Sequence, residues 1–189
     1  IGRHVINELQ KYSVEIIAIS RQDTPVFACK KNLEIVKYDL ANCDKSCFNK
    51  IGRPDILIHL AWDGLPNYQS FHHFETELPK NYLFLKHLVS SGLSNVFVAG
   101  TCLEYGMQSG CLGEYNKAFP CTPYGFAKDM LRRQLEFMKS AIPFSLTWGR
   151  IFYLYGDGQS EKSLFPQLKK AVATSKKKFN MSTGEQIRD

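Results

Sequence analysis

NVFVAGT, residues 95–101, contains a short apolar run of β-branched and aromatic side chains that ends at Gly100-Thr101. Such a run predicts a buried strand over residues 95–99. Because its apolar residues are continuous and do not alternate with polar ones, the strand is typical of a parallel sheet with helices on both faces. Helical periodicity precedes it over residues 71–91, which Gly92 closes, and follows it from Tyr124 to Met138.

The same alternation of strands and helices extends over the rest of the chain. A helix is predicted at residues 2–11, and buried strands at 14–20 (VEIIAIS), 33–39, 56–60 (ILIHL) and 145–152 (SLTWGRIF). This order predicts an α/β fold, a Rossmann-like doubly wound parallel sheet with helices on both faces. Ligands of such sheets bind beyond the carboxyl ends of the strands, so we expect one crevice to be lined by Asp39, Ala61, Thr101 and Ile151.

Composition sets the broad class of the protein. The chain has 189 residues, of which 44% are hydrophobic and 22% charged, as is ordinary for a soluble domain. It has no long apolar run and no signal-peptide pattern, so we expect a cytoplasmic protein with no membrane partner. The six cysteines form no CxxC pair and no Cys/His cluster, which favours reduced thiols and no metal site. The net charge of +6 includes lysines between residues 169 and 178, and it favours a solvated helix face over a nucleic-acid site.

A tyrosine and a lysine near the start of one predicted helix could carry chemistry. Tyr124 and Lys128 are four residues apart, so both side chains lie on one helix face. An ammonium near a phenol favours the phenolate and brings its pKa toward neutral, which suits proton transfer. By spacing alone, an ordinary amphipathic helix face is the better interpretation.

Three segments, taken together, resemble a known family. Residues 100–106 (GTCLEYG), 123–128 (PYGFAK) and 149–156 (GRIFYLYG) resemble, in this order, the extended short-chain dehydrogenase/reductases that modify nucleotide-activated sugars. The resemblance implies that Tyr124 exchanges a proton with the sugar oxygen during hydride transfer. It also implies that Lys128 lowers the pKa of Tyr124 and bonds the nicotinamide ribose, and that Thr101 hydrogen-bonds the reacting oxygen. A non-catalytic cofactor-binding or scaffold homologue is the alternative of another class.

The resemblance also implies a binding site for a nicotinamide cofactor. Gly2 matches the last glycine of a nucleotide-binding loop. Asp39 and Leu40 are expected to contact the adenine, and residues 60–62 are expected along the pyrophosphate and ribose. The implied cofactor residues are Gly2, Ser20, Arg21, Asp39, Leu40, Leu60, Ala61, Trp62, Asn81, Tyr124, Lys128 and Ile151.

The choice between NAD and NADP depends on the end of the strand at 14–20. Sites that prefer NAD place an acid there, which bonds the ribose hydroxyls. This chain has Ser20-Arg21 instead, and the nearest acid is Asp23. A hydroxyl and a cation tolerate a 2′-phosphate, so the sequence predicts NADP or NAD, with NADP favoured.

Departures from the family narrow the reaction. Related 4,6-dehydratases carry an Asp-Glu pair after the active-site threonine, whereas this chain has Cys102 and Leu103, which cannot eliminate water by acid/base chemistry. Hydride transfer at C4 of a nucleotide-activated 6-deoxyhexose remains, either as 4-keto reduction or as 4-epimerisation. Residues 61–68 (AWDGLPNY) resemble reductases that make 6-deoxyhexoses for bacterial polysaccharides, such as the 6-deoxytalose-forming enzymes. The implied substrate residues are Thr101, Tyr153, Leu164, Phe165 and Arg188.

Both chain ends predict a partial domain. The sequence opens with Ile1-Gly2 directly before a helical pattern and stops at Arg188-Asp189. We expect residues 1–189 to be a partial NAD(P)-binding Rossmann domain, with 155–189 beginning the substrate-binding portion. The first strand and most of the C-terminal substrate subdomain would then be missing from it, and these residues alone would bind cofactor poorly. Two interpretations fit a set of apolar residues on the long helices equally well, a homodimer interface and burial in the core. These residues are Leu83, Phe84, Leu88, Leu131 and Leu135.

Overall fold

The computed structural model describes residues 1–22, 32–183 and 185, and it has the expected alternation of strands and helices. The predicted strands are all present, with ends that differ from the prediction by one or two residues. In chain order the elements are α1 (Gly2–Leu9), β1 (Ile16–Ser20), β2 (Leu33–Lys37), α2 (Cys47–Lys50), β3 (Ile56–His59), α3 (Leu78–Ser90), β4 (Asn95–Thr101), α4 (Pro123–Lys139), β5 (Ser145–Ile151) and α5 (Leu164–Ala173).

The strands form two sheets. β1 pairs in parallel with β2, from Ile16 opposite Leu33 onward, and β3 pairs in parallel with β4, from Ile56 opposite Asn95 onward. β5 lies on the other side of β4, and within the described residues no pairing joins β1 to β3. The α/β fold with parallel strands is therefore confirmed.

One apolar core holds the three-stranded sheet against the helices on one of its faces. Side chains from α2, α3, β3, β4 and α4 contribute to it, and the packing fixes α3 and α4 beside β4. This packing therefore fixes the carboxyl end of β4 relative to the start of α4. Its most buried members include Phe84, Leu85, Leu88, Val98, Leu131 and Leu135.

The residues expected to permit a homodimer divide between core and surface. Phe84, Leu88, Leu131 and Leu135 are buried in the core, so their apolar character is explained by folding. Leu83 is 48% exposed and remains available at the surface. A homodimer stays a prediction.

The helix predicted over residues 71–91 begins differently from the expectation. Its first part is a π-helical turn, His73–Glu77, and the regular α-helix starts at Leu78. Pro79 lies in the first turn of α3 and has no N–H to continue an α-helical ladder backwards, which is compatible with the wider turn. The π-turn buries His73 and Glu77 beside the candidate site.

Residues 151–189 form a second compact unit. Within it, the rings of Tyr155 and Phe165 lie 6.1 Å apart and Lys169 Nζ lies 4.9 Å from the centre of the Phe165 ring. A substrate-binding role for residues 155–189 stays a prediction. Across the described part of the chain, no helix is both long enough and apolar enough to span a membrane. Cysteines 43, 47, 102, 111 and 121 are free thiols, and Cys29 lies outside the described residues.

Candidate active site

Thr101 is held at the carboxyl end of β4 by its own turn. It is buried and caps the short 3-10 turn Cys102–Glu104. The Thr101 backbone N–H donates to Glu104 Oε1 at 2.8 Å, and the Thr101 hydroxyl oxygen accepts from the Leu103 N–H at 3.3 Å. This reciprocal capping fixes both the backbone and the side chain of Thr101.

Tyr124 and Lys128 lie in the first turns of α4, and both are buried. Lys128 Nζ donates to the Ala99 carbonyl at 2.9 Å, two residues before Thr101. The hydroxyl of Thr101 is hydrogen-bonded to Tyr124. The structure therefore brings together the three residues that the sequence predicts as catalytic.

Close packing brings the start of α4 against the Thr101 turn. A Cβ added at Gly125 would lie 2.5 Å from the Leu103 carbonyl oxygen, which is too close for any side chain. The Gly125 N–H also donates to the Thr122 hydroxyl at 3.0 Å, and this bond caps the helix. The glycine after Tyr124 thus allows Tyr124 to approach Thr101.

Lys128 carries a charge that is costly to bury. Burial lowers the pKa of Lys128 from 10.5 to about 7, while the carboxylates of Glu104 and Glu77 oppose this shift. The face of the Trp62 ring lies 4.0 Å from Lys128 Nζ, and a cation–π contact of this kind partly replaces hydration. A buried amine with a pKa near neutral is common at functional sites.

Tyr124 differs from the expectation that Lys128 brings its pKa toward neutral. The pKa of Tyr124 is raised to about 12, chiefly by burial and also by Tyr68 and Glu104, while the hydrogen bond from Thr101 lowers it. Burial disfavours the phenolate, and the Lys128 ammonium is directed at the Ala99 carbonyl and the Trp62 ring. The protein's own groups therefore keep Tyr124 a protonated phenol at neutral pH.

A histidine that sequence reasoning missed supports Trp62 and Tyr124. Trp62 Nε1 donates to His73 Nδ1 at 3.1 Å, so His73 Nε2 carries the proton and donates to the Asn67 carbonyl at 2.8 Å. The His73 ring centre lies 5.1 Å from that of Tyr124. The Tyr124 N–H donates to the Tyr68 carbonyl at 3.2 Å. No local pattern in the sequence links these residues, because they meet only through the loop after β3.

A cavity of about 300 Å³ adjoins this cluster, and Trp62 is common to both. Its wall also includes Asp63, Glu77 and Lys80, which sequence reasoning did not assign. Gly2 lies nearby, since a Cβ added there would be 3.9 Å from Leu60 Cδ1. Most of the predicted cofactor residues meet in this wall, namely Ser20, Arg21, Asp39, Leu40, Leu60, Ala61, Trp62 and Asn81.

The polar groups of the cavity wall fit an adenine nucleotide. Asp39 Oδ1 accepts from the Ala41 N–H at 2.9 Å, which leaves the other carboxylate oxygen as an acceptor beside the apolar side chains of Leu40 and Leu60. A flat ring with an amino group suits such a wall. The Asp39 carboxylate can likewise accept from ribose hydroxyls.

Asn81 is fixed from behind by buried groups. Asn81 Oδ1 accepts from His59 Nε2 at 2.7 Å, and Asn81 Nδ2 donates to the Glu77 carbonyl at 2.7 Å. Burial lowers the pKa of His59 to about 4, so its ring is neutral. Asn81 therefore forms a rigid part of the cavity wall.

The charges at the edge of the cavity are paired with one another. Arg21 Nη2 lies 2.7 Å from Asp63 Oδ1, and Lys80 Nζ lies 3.3 Å from Asp63 Oδ2. Lys80 also pairs with Glu77. The positive charge of Arg21 is thus already partly compensated by a carboxylate.

The remaining predicted residues belong to the second unit or lie outside the described residues. Ile151 is the last residue of β5, and Tyr153, Leu164 and Phe165 belong to the second unit, where each is partly or largely exposed. Arg188 and Asp23 lie outside the described residues. Roles for these residues in binding stay predictions.

A family profile matches the full length of the sequence. The profile is that of the NAD dependent epimerase/dehydratase family, and it covers residues 1–189. The chain belongs to this family. Members of this family are NAD-dependent enzymes, which agrees with the family resemblance of the motifs that contain Thr101, Tyr124 and Lys128.

One curated relative in the family is dTDP-6-deoxy-L-talose 4-dehydrogenase (NAD(+)) from Aggregatibacter actinomycetemcomitans. It is 29% identical over 191 residues, which cover all of this chain and 70% of the relative. Its name specifies NAD(+), so it gives no support to the NADP preference expected from Ser20-Arg21.

Solved structures share the fold at lower identity. MoeE5 in complex with UDP-glucuronic acid and NAD has a TM-score of 0.75 and 24% identity, over 90% of this chain. UDP-glucuronic acid 4-epimerase from Bacillus cereus, with UDP-glucuronic acid and NAD, has a TM-score of 0.73 and 21% identity, over 92% of this chain. The chain spans 57% and 60% of these two proteins, respectively.

Proposed function

We propose that this chain belongs to an NAD-dependent oxidoreductase that transfers hydride at C4 of a nucleotide-activated 6-deoxyhexose. The observation that carries the proposal is the buried cluster of Thr101, Tyr124 and Lys128 beside the cavity that contains the predicted cofactor residues. The named activity of the dTDP-6-deoxy-L-talose 4-dehydrogenase supports the choice of sugar.

The proposed chemistry assigns one task to each residue of the cluster. When bound, NAD supplies the hydride acceptor or donor. Tyr124 is a protonated phenol near neutral pH, so in ketone reduction it donates its proton to the C4 oxygen. In the reverse direction the Tyr124 phenolate accepts the proton of the C4 hydroxyl as hydride leaves C4 for NAD. Thr101 hydrogen-bonds the same oxygen and orients it. Lys128, whose ammonium is held at the Ala99 carbonyl and the Trp62 ring, binds the nicotinamide ribose.

We expect NAD to be preferred over NADP. A 2′-phosphate at the end of β1 would meet Arg21, but the Arg21 guanidinium is already paired with Asp63, and Asp39 lies in the same wall. Bringing a phosphate near these carboxylates is unfavourable. The preference is measured as the ratio of kcat/KM for the two cofactors, and a larger value with NADP would contradict it.

A 4-epimerase is the second candidate, because solved relatives with this fold carry that name. An epimerase would oxidise and re-reduce C4 with no net change in cofactor. A non-catalytic homologue is a third candidate, and the buried cluster of Thr101, Tyr124 and Lys128 argues against it. Cys102 and Leu103 follow Thr101 and leave no carboxylate pair there for dehydration.

The test uses the purified full-length protein with NAD and dTDP-6-deoxy-L-talose. NADH is followed by its near-ultraviolet absorbance, and the sugar product by mass and NMR. We expect one NADH per 4-keto product, and a loss of about 100-fold or more in kcat for Tyr124→Phe. A C4-inverted sugar without net NADH would identify the epimerase. No turnover with dTDP or UDP sugars, together with cofactor binding, would support the non-catalytic homologue.

A further inference from the structure

A buried carboxylate lies directly behind Thr101. Glu104 is fully buried, and its two oxygens receive hydrogen bonds from three residues. The donors are the Thr101 backbone N–H at 2.8 Å, Trp148 Nε1 at 3.0 Å from each oxygen, and Arg150 Nε at 2.8 Å. A carboxylate whose acceptor positions are filled in this way is not available to exchange protons with a substrate.

These contacts connect the Thr101 turn to the neighbouring strand. Trp148 and Arg150 both lie on β5, which is next to β4 in the sheet. The Arg150 guanidinium also lies 4.5 Å from the centre of the Tyr105 ring, and its side chain is only 12% exposed. A buried, charge-assisted pair of this kind has little freedom to move, because separating it leaves an unpaired charge.

The backbone beside Glu104 leaves little room for another arrangement. A Cβ added at Gly100 would lie 2.5 Å from Glu104 Oε1 and would overlap the Trp148 indole nitrogen. The carboxylate and the indole are therefore packed against the backbone that leads into Thr101. The position of the Thr101 hydroxyl against Tyr124 depends on this contact, since the hydroxyl and the bonded N–H belong to one residue.

We propose that Glu104 is a positioning residue for the hydride-transfer reaction: held by Trp148 and Arg150, it fixes the Thr101 backbone and thereby places the Thr101 hydroxyl against Tyr124. The catalytic consequence rests on the proposed function, whereas the effect on the Thr101 backbone does not. Glu104 acts through Thr101 and does not touch the reacting atoms.

A double-mutant cycle tests the catalytic consequence. The variants are Glu104→Gln, Thr101→Val and the combination of both. Gln keeps the size of the side chain but presents N–H groups where the carboxylate accepts, so the turn shifts. A misplacement of about 1 Å can cost about 100-fold in rate, so we assign a shift of the turn a cost of about 10- to 100-fold in kcat. We expect a loss in that range for Glu104→Gln, an unchanged KM for NAD, and no further loss when Glu104→Gln is added to Thr101→Val.

The control is Glu136→Gln, which removes an exposed carboxylate from α4 and should leave kcat unchanged. If the losses from Glu104→Gln and Thr101→Val multiply in the combined variant, Glu104 does not act through Thr101 and the proposal is overturned. If Thr101→Val alone keeps wild-type kcat, the proposed function fails instead, because Thr101 then has no part in the reaction.

Amide hydrogen exchange tests the positioning without any substrate. The variant is Glu104→Met combined with Arg150→Met, which removes both charges of the pair together, so that no uncompensated charge stays buried. We expect the Thr101 amide to exchange at least about 10-fold faster than in the wild type, while the Val98 amide in β4 keeps its protection. Equal protection of Thr101 in the variant and the wild type would overturn the proposal, whatever the kinetics show.

Discussion

At the scale of one residue, burying the charged side chain of Lys128 lowers the stability of the folded protein. Its ammonium is buried with one carbonyl and one aromatic face as neighbours, and its pKa is lowered to about 7. A shift of this size corresponds to a cost on the order of a few kcal/mol when the charged form is buried. We therefore expect Lys128 to serve the proposed chemistry and not the stability of the fold.

Replacing Lys128 by Met should therefore stabilise the protein and inactivate it. The folded protein releases the Lys128 proton near pH 7, whereas the unfolded chain keeps it up to about pH 10.5. The cost of burial is then full below pH 7 and disappears as the pH rises toward 10.5. We expect the Tm of the variant to exceed that of the wild type by several degrees at pH 6, and the difference to shrink by pH 10. A difference that does not depend on pH would contradict this explanation.

Tyr124 illustrates a limit of reasoning from spacing. The separation of Tyr124 and Lys128 predicted that both side chains lie on one face of α4, because helical geometry is local, and the structure buries both. It did not predict the direction of the Tyr124 pKa shift, since burial by the loop after β3 outweighs the nearby ammonium.

At the scale of elements, the site depends on how closely α4 approaches the turn after β4. Gly125 makes this approach possible, because no side chain fits between its Cα and the Leu103 carbonyl. The two elements are otherwise joined by the hydrogen bond between Tyr124 and Thr101 and by that of Lys128 to Ala99. A small separation of the elements would therefore weaken several contacts of the site together.

Gly125→Ala is expected to lower kcat by about 10-fold or more, because it pushes Tyr124 away from Thr101. Gly113→Ala is the matched control, since a Cβ there makes only an ordinary contact with Asn116 at 3.7 Å. Steady-state kinetics and circular dichroism would be measured for both variants. Wild-type kcat in a folded Gly125→Ala variant would show that the approach of α4 is not required.

At the scale of the whole molecule, the two sheets differ in how well they are covered. β3 and β4 lie against the apolar core formed with α2, α3 and α4, whereas in β1 and β2 only Ile16 is fully buried. Strands with few buried apolar contacts open locally at lower free energy. The part of the cavity wall that includes Ser20 and Arg21 is thus on the less stable sheet.

Hydrogen exchange should separate the two sheets. We expect amides of β4, such as Val96 and Val98, to exchange at least about 10-fold more slowly than those of β1, such as Ile17 and Ile19. The measurement is exchange mass spectrometry or NMR on the purified protein. Equal protection in both sheets would mean that they unfold as one cooperative unit.

The sequence by itself determined the order of strands and helices, the cluster of Thr101, Tyr124 and Lys128, and most of the cavity wall. The order of the elements follows from periodicity, which is local along the chain, whereas the cluster and the cavity residues follow from the motifs that resemble the family. Only the tertiary structure decided which charged groups are paired and which are buried. Arg21 is paired with Asp63, 42 residues away, and Glu104 with Arg150, 46 residues away. Burial and charge compensation depend on such distant partners, and no local pattern contains them.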